Sequence, residues 1–415
     1  MPIVRIPAPC GVVLALLAAI ACGGADDKTV ASSGDPVAPP PVSRPRGMWV
    51  LCEGSQRVLE HPERIPLLIA DAQKLGVTDL FVQVYRGGRA WFDSSHADAG
   101  PYRELMAATG EDTLSQLLAQ AHAADLRVHA WVNVLNLARN RDAPLIRDLG
   151  RDSVLSDQFG RSLLDYPDFD VPAPDRRYYR MGTPGVWMDP AAPGVAQRLG
   201  VTFAELLTRY PQFDGLHFDY IRYPDVLPFA PGSRFGVGLD FGYGAPTRAR
   251  FKRDTGLDAP LGDSVTNASR WDSWKRDQLT ALLVELRFAA RIAHDTVQLS
   301  AAVWAWADRA YLSQGQDWRQ WLEAGLLEFA VPMAYTVDDR ALRYHAESYA
   351  GLPIGDRIWV GLGTWLFAGR PERALEQLRI VRAAGAAGDS LFSYDSIVEA
   401  PDLRAALIGE ATVIE

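Results

Sequence analysis

From Arg46 onward the chain alternates short runs of β-branched, aromatic and other apolar residues with longer stretches whose apolar positions recur at helical spacing. The short runs predict strands at Gly47–Cys52, Asp79–Tyr85, Arg127–Val134, Gly215–Tyr220, Gln298–Trp304, Phe329–Tyr335, Arg357–Gly363 and Ser390–Tyr394. The longer stretches predict helices at Pro62–Leu75, Leu114–Ala124, Val195–Tyr210, Trp271–His294, Trp318–Gly325 and Pro371–Ala384. Eight strands with helices between them predict an α/β fold, a (β/α)8 TIM barrel rather than an open doubly wound sheet. No glycine-rich phosphate fingerprint opens any of the helices, which argues against nucleotide binding. Two long segments, 136–187 and 224–270, break the repeat after strands three and four. Loop insertions at the C-terminal ends of barrel strands build the active-site face.

The residues ahead of the barrel pattern read differently. Residues 1–21 carry Arg5, an apolar run from Gly11 to Ala21 and small residues before Cys22, a lipoprotein signal pattern too short to span a membrane. Two endings are open: cleavage after Ala19-Ile20-Ala21 alone, or a lipoprotein box in which Cys22 is diacylated. The cysteine placed directly after a small residue favours the second. Residues 22–45 lack aromatics and are rich in Pro, Ser and Asp, so they are expected to be a disordered tether, leaving 46–412 for the barrel. The expectation is an exported protein, lipid-anchored to the bacterial cell envelope in the outer membrane or periplasm.

Charge and cysteine content narrow the possible partners. A net charge of −9 without a basic cluster excludes nucleic acid, whose phosphates need grouped Lys and Arg. Of three cysteines, Cys10 leaves with the leader and Cys22 takes the lipid, so Cys52 stands alone as a small buried filler and no disulfide is expected.

The chemistry concentrates in DGLHFDYIRYP, residues 214–224. Alternation puts Leu216, Phe218 and Tyr220 on one face of the fourth strand and His217 and Asp219 on the other. With the large apolar residues set against outer helices, His217 and Asp219 face the barrel lumen, Asp219 nearer the mouth where barrel enzymes keep catalytic groups. The same reading brings Glu53, Gln83, His129, Asn133, Tyr335 and Asp395 to that mouth, with Asp93 and Asp308 in the loops beyond strands two and five. Trp304, Trp306, Trp365, Tyr85, Trp91 and Tyr394 are candidate walls for the apolar faces of sugar rings. Carboxylates ringed by amide, imidazole, phenol and indole suit a sugar-cleaving pocket. Each has a plainer role: Asp219 paired with Arg222 or His217, the histidines as hydrogen-bonding groups, the aromatics as core.

GMWV at 47–50, VQVYRGGRAWF at 82–92, VHAWVNV at 128–134, DGLHFDYIRYP, VPMAYT at 331–336 and LFSYDS at 391–396 resemble, in order, the strand motifs of the glycosyl-hydrolase-like family 10. The resemblance implies an exported hydrolase of glycosidic bonds acting on a cell-wall or other surface glycan. It places Asp219 on the family's strand-four aspartate and Asn133 on its strand-three asparagine. The chain departs from the family pattern in strand two, where Tyr85 and Arg89 stand in place of an arginine and an aspartate.

Glycoside hydrolysis ordinarily takes two carboxyl groups, one protonating the leaving oxygen and one attacking or activating water. Asp219 is the expected nucleophile or charge stabiliser; Asp308, Asp93, Glu53 and Asp395 compete for the partner role. Asn133, His217, Tyr335, Gln83, Trp304, Trp306, Trp365 and Arg222 are expected around the substrate. No cofactor or metal is called for. A glycan-binding barrel without chemistry, and a metal-dependent hydrolase using His129, His217 and Asp219, are the competing readings; the second lacks H-x-H or HExxH spacing.

Overall fold

The computed structural model describes residues 44–412 except positions 174, 178 and 229–238. The expected leader, Cys22 and residues 22–43 of the expected tether lie outside the described residues. Eight parallel strands close on themselves: β1 (Arg46–Val50), β2 (Asp79–Arg86), β3 (Arg127–Asn133), β4 (Gly215–Asp219), β5 (Gln298–Trp304), β6 (Phe329–Met333), β7 (Trp359–Gly363) and β8 (Gly388–Phe392). Closure is visible in β1, where Met48 pairs with Leu80 on one side and Leu391 on the other. The sheet is thus the expected (β/α)8 barrel.

Around it run α1 (Ile65–Lys74), α2 (Thr113–Ala123), α3 (Val195–Arg209), α4 (Ala268–Ala293), α5 (Trp318–Glu323), α6 (Asp339–Ala350), α7 (Pro371–Ala383) and α8 (Pro401–Ala411). Each forms where apolar residues return every three or four positions, as with Leu199, Phe203, Leu206 and Leu207 of α3, all buried against the sheet. Asp112 caps α2 by accepting the Leu114 and Ser115 N–H groups. Helix α6 escapes the sequence pattern because its inward stripe, Leu342, His345, Ala346 and Tyr349, holds a single large aliphatic residue, and α8 because only Leu403 and Leu407 turn inward. The eighth strand begins and ends two residues before its expected position, because Ser393 instead caps the helix Tyr394–Val398.

Alternation along the strands separates two apolar sets. Met48, Val50, Leu216 and Phe218 face the helices, while Trp49, Phe81, Trp131, Ala302, Phe329, Val331 and Trp359 fill the lumen. Removing each such side chain from water contributes roughly 1.5–3 kcal/mol. In the lower lumen Phe329 stacks on Trp359 at 4.0 Å and Phe81 on His217 at 4.2 Å. At that closed end His129 Nε2 lies 2.8 Å from Asp79 Oδ1, and Arg127 binds the same carboxylate through two nitrogens at 2.7 Å. Burial alone would raise the Asp79 pKa, but the His129 and Arg127 bonds outweigh it and hold the group down at about 2. His129 is therefore part of the barrel floor, not of the mouth as expected.

Tyr85 also departs from expectation. A bulge between Gln83 and Tyr85 shifts the pairing so that Gln83 faces Trp131 and Tyr85 faces Val132, turning Tyr85 outward. Its ring packs edge-on against Phe203 of α3.

The two insertions follow β3 and β4 and build on each other at the mouth. Tyr179–Met181 pairs antiparallel with Val226–Pro228, and Asp157 of the first bridges Phe241 of the second. Asp189, fully buried, accepts the Ala191 N–H and the Thr247 hydroxyl, tying the first insertion to the helix Ala245–Thr255 of the second.

Candidate active site

A cleft of about 370 Å3 opens at the C-terminal ends of the strands. Its floor is indole: Trp49 from β1 and Trp131 from β3. Directly beneath, His217 accepts a hydrogen bond from Trp49 Nε1 at 3.2 Å and contacts Ser300 Oγ at 2.8 Å through its other nitrogen. Burial, reinforced by His129, depresses the His217 pKa far below its usual value, so the ring is neutral. His217 supports the floor from below and does not line the cleft.

One layer above His217, Asp219 ends β4 directly opposite Asn133 of β3. Asn133 Oδ1 accepts from Gln83 Nε2 at 3.2 Å, and Gln83 in turn holds the backbone N–H and thiol of Cys52. Period-two alternation turns Gln83, Asn133 and Asp219 inward, and the register sets Asn133 level with Asp219.

Asp219 is held from its own chain. The next residue, Tyr220, takes a left-handed backbone, φ +54, which is costly for a residue with a Cβ. Its N–H reaches Asp219 Oδ1 at 2.6 Å, and Arg222 approaches the same oxygen at 3.4 Å. The Arg222 guanidinium also lies 4.4 Å from the centroid of the Tyr220 ring. Burial pushes the Asp219 pKa up; Arg222 and the Tyr220 N–H pull it back, with Trp131 adding to the pull. The outcome is a carboxyl whose pKa stands above its ordinary value, with burial the largest cause. Because of the left-handed turn, Tyr220 joins the cleft wall instead of pointing at the helices as alternation had it.

Two carboxyl groups line the cleft among the described residues, Asp219 and Glu53. Glu53 accepts from Arg86 on the cleft side and from Arg89, so the residue standing where the family pattern has an aspartate is here a partner of Glu53. Arg222, Tyr335, Leu51, Met333 and Phe392 complete the wall.

The Glycosyl hydrolase-like 10 family matches residues 44–350. This chain belongs to that family. It is 26% identical over 314 residues to glycosyl hydrolase DigH of Escherichia coli K12, covering 70% of this chain and 63% of that protein. Glycosyl hydrolase YngK of Bacillus subtilis is 23% identical over 298 residues, covering 67% and 50%. The chain thus spans less than two thirds of the length of these curated relatives. Among solved structures, the glycoside hydrolase domain of PgaB (BpsB) from Bordetella bronchiseptica superposes with a TM-score of 0.62 at 15% identity, covering 88% of this chain and 98% of that one. The catalytic domain of the Paenibacillus polymyxa β-amylase gives 0.53 at 13% identity, with the same coverage. At these identities the likeness is one of fold.

The other residues singled out in this family member's sequence lie apart from the cleft. Asp93 is half exposed and pairs with Arg209 of α3 at 2.6 Å. Asp308 is exposed in the first turn of the helix Ala307–Ser313. Asp395 is buried beneath the loop after β1, where its Oδ1 accepts the Gln56 N–H at 2.8 Å. Gly54 makes that fit possible, since a Cβ there would come within 2.1 Å of the same oxygen. Trp304 is covered by Arg309, and Trp306 stacks on Tyr344 at 5.8 Å, outside the cleft. Trp365 stands behind the wall, edge-on to Tyr335 at 4.9 Å. Tyr394 turns away to Asp71, and Trp91 lies beyond Glu53 under Arg89. His129, His217 and Asp219 are not brought together, each having its own partners on a different layer. Trp49 and Trp131 were missed, though their parity with Glu53 and Asn133 signals an inward face. Arg86 and Tyr220 carry no such signal.

Proposed function

We propose that the protein is a glycoside hydrolase acting on a cell-wall or other surface polysaccharide, with Asp219 at its catalytic centre. The observation that carries this is the meeting of Asp219 and Glu53 in one cleft floored by Trp49 and Trp131. Indole faces accept the apolar faces of sugar rings, while the Gln83 and Asn133 amides, both buried at the mouth, offer hydrogen bonds to hydroxyls. Asp219, once ionised, stabilises the oxocarbenium-like transition state or attacks the anomeric carbon. Arg222 and the Tyr220 N–H fix its orientation, so little reorganisation is needed as charge develops. Glu53 is the partner for proton transfer to the leaving oxygen, which requires that bound substrate loosen its pairing with Arg86 or Arg89.

The test is turnover of bacterial cell-wall glycan by wild type and Asp219→Asn, with product mass analysis. The substitution should lower kcat by at least about a thousandfold, roughly 4 kcal/mol, with the fold intact. Near-wild-type turnover by the variant removes Asp219 from the mechanism.

The double pairing of Glu53 favours one further reading, a glycan-binding barrel without cleavage. Retained glycan binding with no wild-type turnover would support it. For location we propose lipid attachment at Cys22 and residence in the cell envelope. Incorporation of labelled palmitate into the full chain, lost in Cys22→Ala, checks this; equal labelling of the two refutes it.

A further inference from the structure

Beyond Glu53 lies a second cavity, also of about 370 Å3. It is bounded by the loop after β1, with Arg57, Glu60 and His61, by Arg89 and Trp91 after β2, and by the helix Gly100–Thr109, with Glu104 and Ala108. Glu53 lines both cavities, so the two adjoin across one side chain. Its pairing spans the boundary: Arg86 belongs to the cleft and Arg89 to the second cavity.

The lining of this cavity suits a polar ligand. Trp91, almost fully buried, lies beneath the Arg89 guanidinium. The remaining lining mixes guanidinium, carboxylate and imidazole with Pro101 and Leu105, so it offers donors, acceptors and a little apolar surface together. A hydroxyl-rich chain needs that combination. A purely apolar ligand would cover Arg57, Glu60 and Glu104 without hydrogen-bonding them, and an anion would meet Glu53, Glu60 and Glu104.

We propose that this second cavity is a binding site for further sugar units of the same glycan chain, so that the substrate passes over Glu53 and occupies both cavities. The inference rests on the reading of the first cleft as a glycan site. It makes the protein a binder of extended chains, with affinity that grows until both cavities are filled. The sugar held over Glu53 would take up hydrogen bonds from Arg86 and Arg89, which is also what would free Glu53 for its proton.

Ala108 is exposed on the helix facing the second cavity, and Ala107 is exposed beside it without lining the cavity. In the Asp219→Asn background, binding is measured calorimetrically with a ladder of cell-wall glycan oligosaccharides from the disaccharide upward. Affinity should rise with length in the parent. Ala108→Trp should remove that rise, weakening the longest chains about tenfold or more while leaving the disaccharide unchanged, and Ala107→Trp should behave as the parent. Length-dependent binding that Ala108→Trp leaves untouched would overturn the second cavity alone. A parent that binds no member of the ladder would overturn both this site and the glycan reading of the cleft.

Discussion

Arg222 stands 3.4 Å from Asp219 Oδ1, three residues along the same chain, with both side chains almost entirely withdrawn from solvent. Burial and this cation act on Asp219 in opposite directions, burial raising its pKa and Arg222 lowering it. Arg222→Met keeps the bulk over Tyr220 and removes the charge. The Asp219 pKa should then rise, and if catalysis needs the carboxylate, the acidic limb of the kcat/KM profile should move to higher pH. An unmoved limb in Arg222→Met would show that Asp219 is not the group whose ionisation the profile reports.

Glu53 shares the cleft with Asp219 but is engaged by Arg86 and Arg89. Glu53→Gln preserves shape and removes the proposed proton donor, so kcat should fall by about a hundredfold, near 2.7 kcal/mol. Leaving groups that need no protonation, such as nitrophenolate, should rescue most of that loss. A uniform loss across leaving groups would instead mark Glu53 as a positioning residue.

Asp189 joins the two insertions from a fully buried position, and burial lifts its pKa to about 6 against the Thr247 and Ala191 hydrogen bonds. Its folded pKa lies above the unfolded value of about 3.9, so the folded state holds the proton more tightly. The stability it contributes is complete below about pH 4 and lost as pH rises through about 6. Asp189→Asn should be insensitive over that window. The difference in unfolding free energy between variant and wild type, read from urea midpoints, should shift toward the variant by on the order of 2 kcal/mol between pH 4 and 7. A constant difference across the window would rule this out.

Asp79 presents the opposite sign at the barrel floor. Its folded pKa, about 2, lies below the unfolded value, so its contribution is present above about pH 4 and lost as pH falls toward 2. Asp79→Ala leaves His129 and Arg127 without their shared carboxylate and should cost about 3–5 kcal/mol at neutral pH. Glycan binding per folded molecule should be unchanged, because the floor lies below the His217 layer. A loss of binding greater than the loss of folded protein would contradict that separation.

The barrel was legible because each strand announces itself by composition and each inward face by parity. His217 and Asp219 could be told from Leu216 and Phe218 in this way, and Gln83 and Asn133 likewise. Parity fails where the backbone stops being regular. The bulge in β2 sends Tyr85 outward, and the left-handed turn at Tyr220 brings into the cleft a ring that counting assigned to the helices. Height along the strand was harder still. His129 and Asn133 share a face of β3, yet one closes the floor and the other opens on the mouth. The choice among Glu53, Asp93, Asp308 and Asp395 depended on loop paths, which no periodicity encodes. Only the fold places Asp93 on Arg209 and Asp395 under Gly54.

Below Asp219 the lumen is filled by Trp49, His217, Phe81, Phe329 and Trp359, all buried. Among the described residues the barrel therefore has no rear entrance, and solvent reaches Asp219 through the mouth, the opening that the proposed substrate would use. For the hydrolase proposed above this would couple reactant and reagent: a polymer seated across the mouth would set when water can reach the bond it presents, and turnover would become a matter of how the chain slides or lifts at the rim.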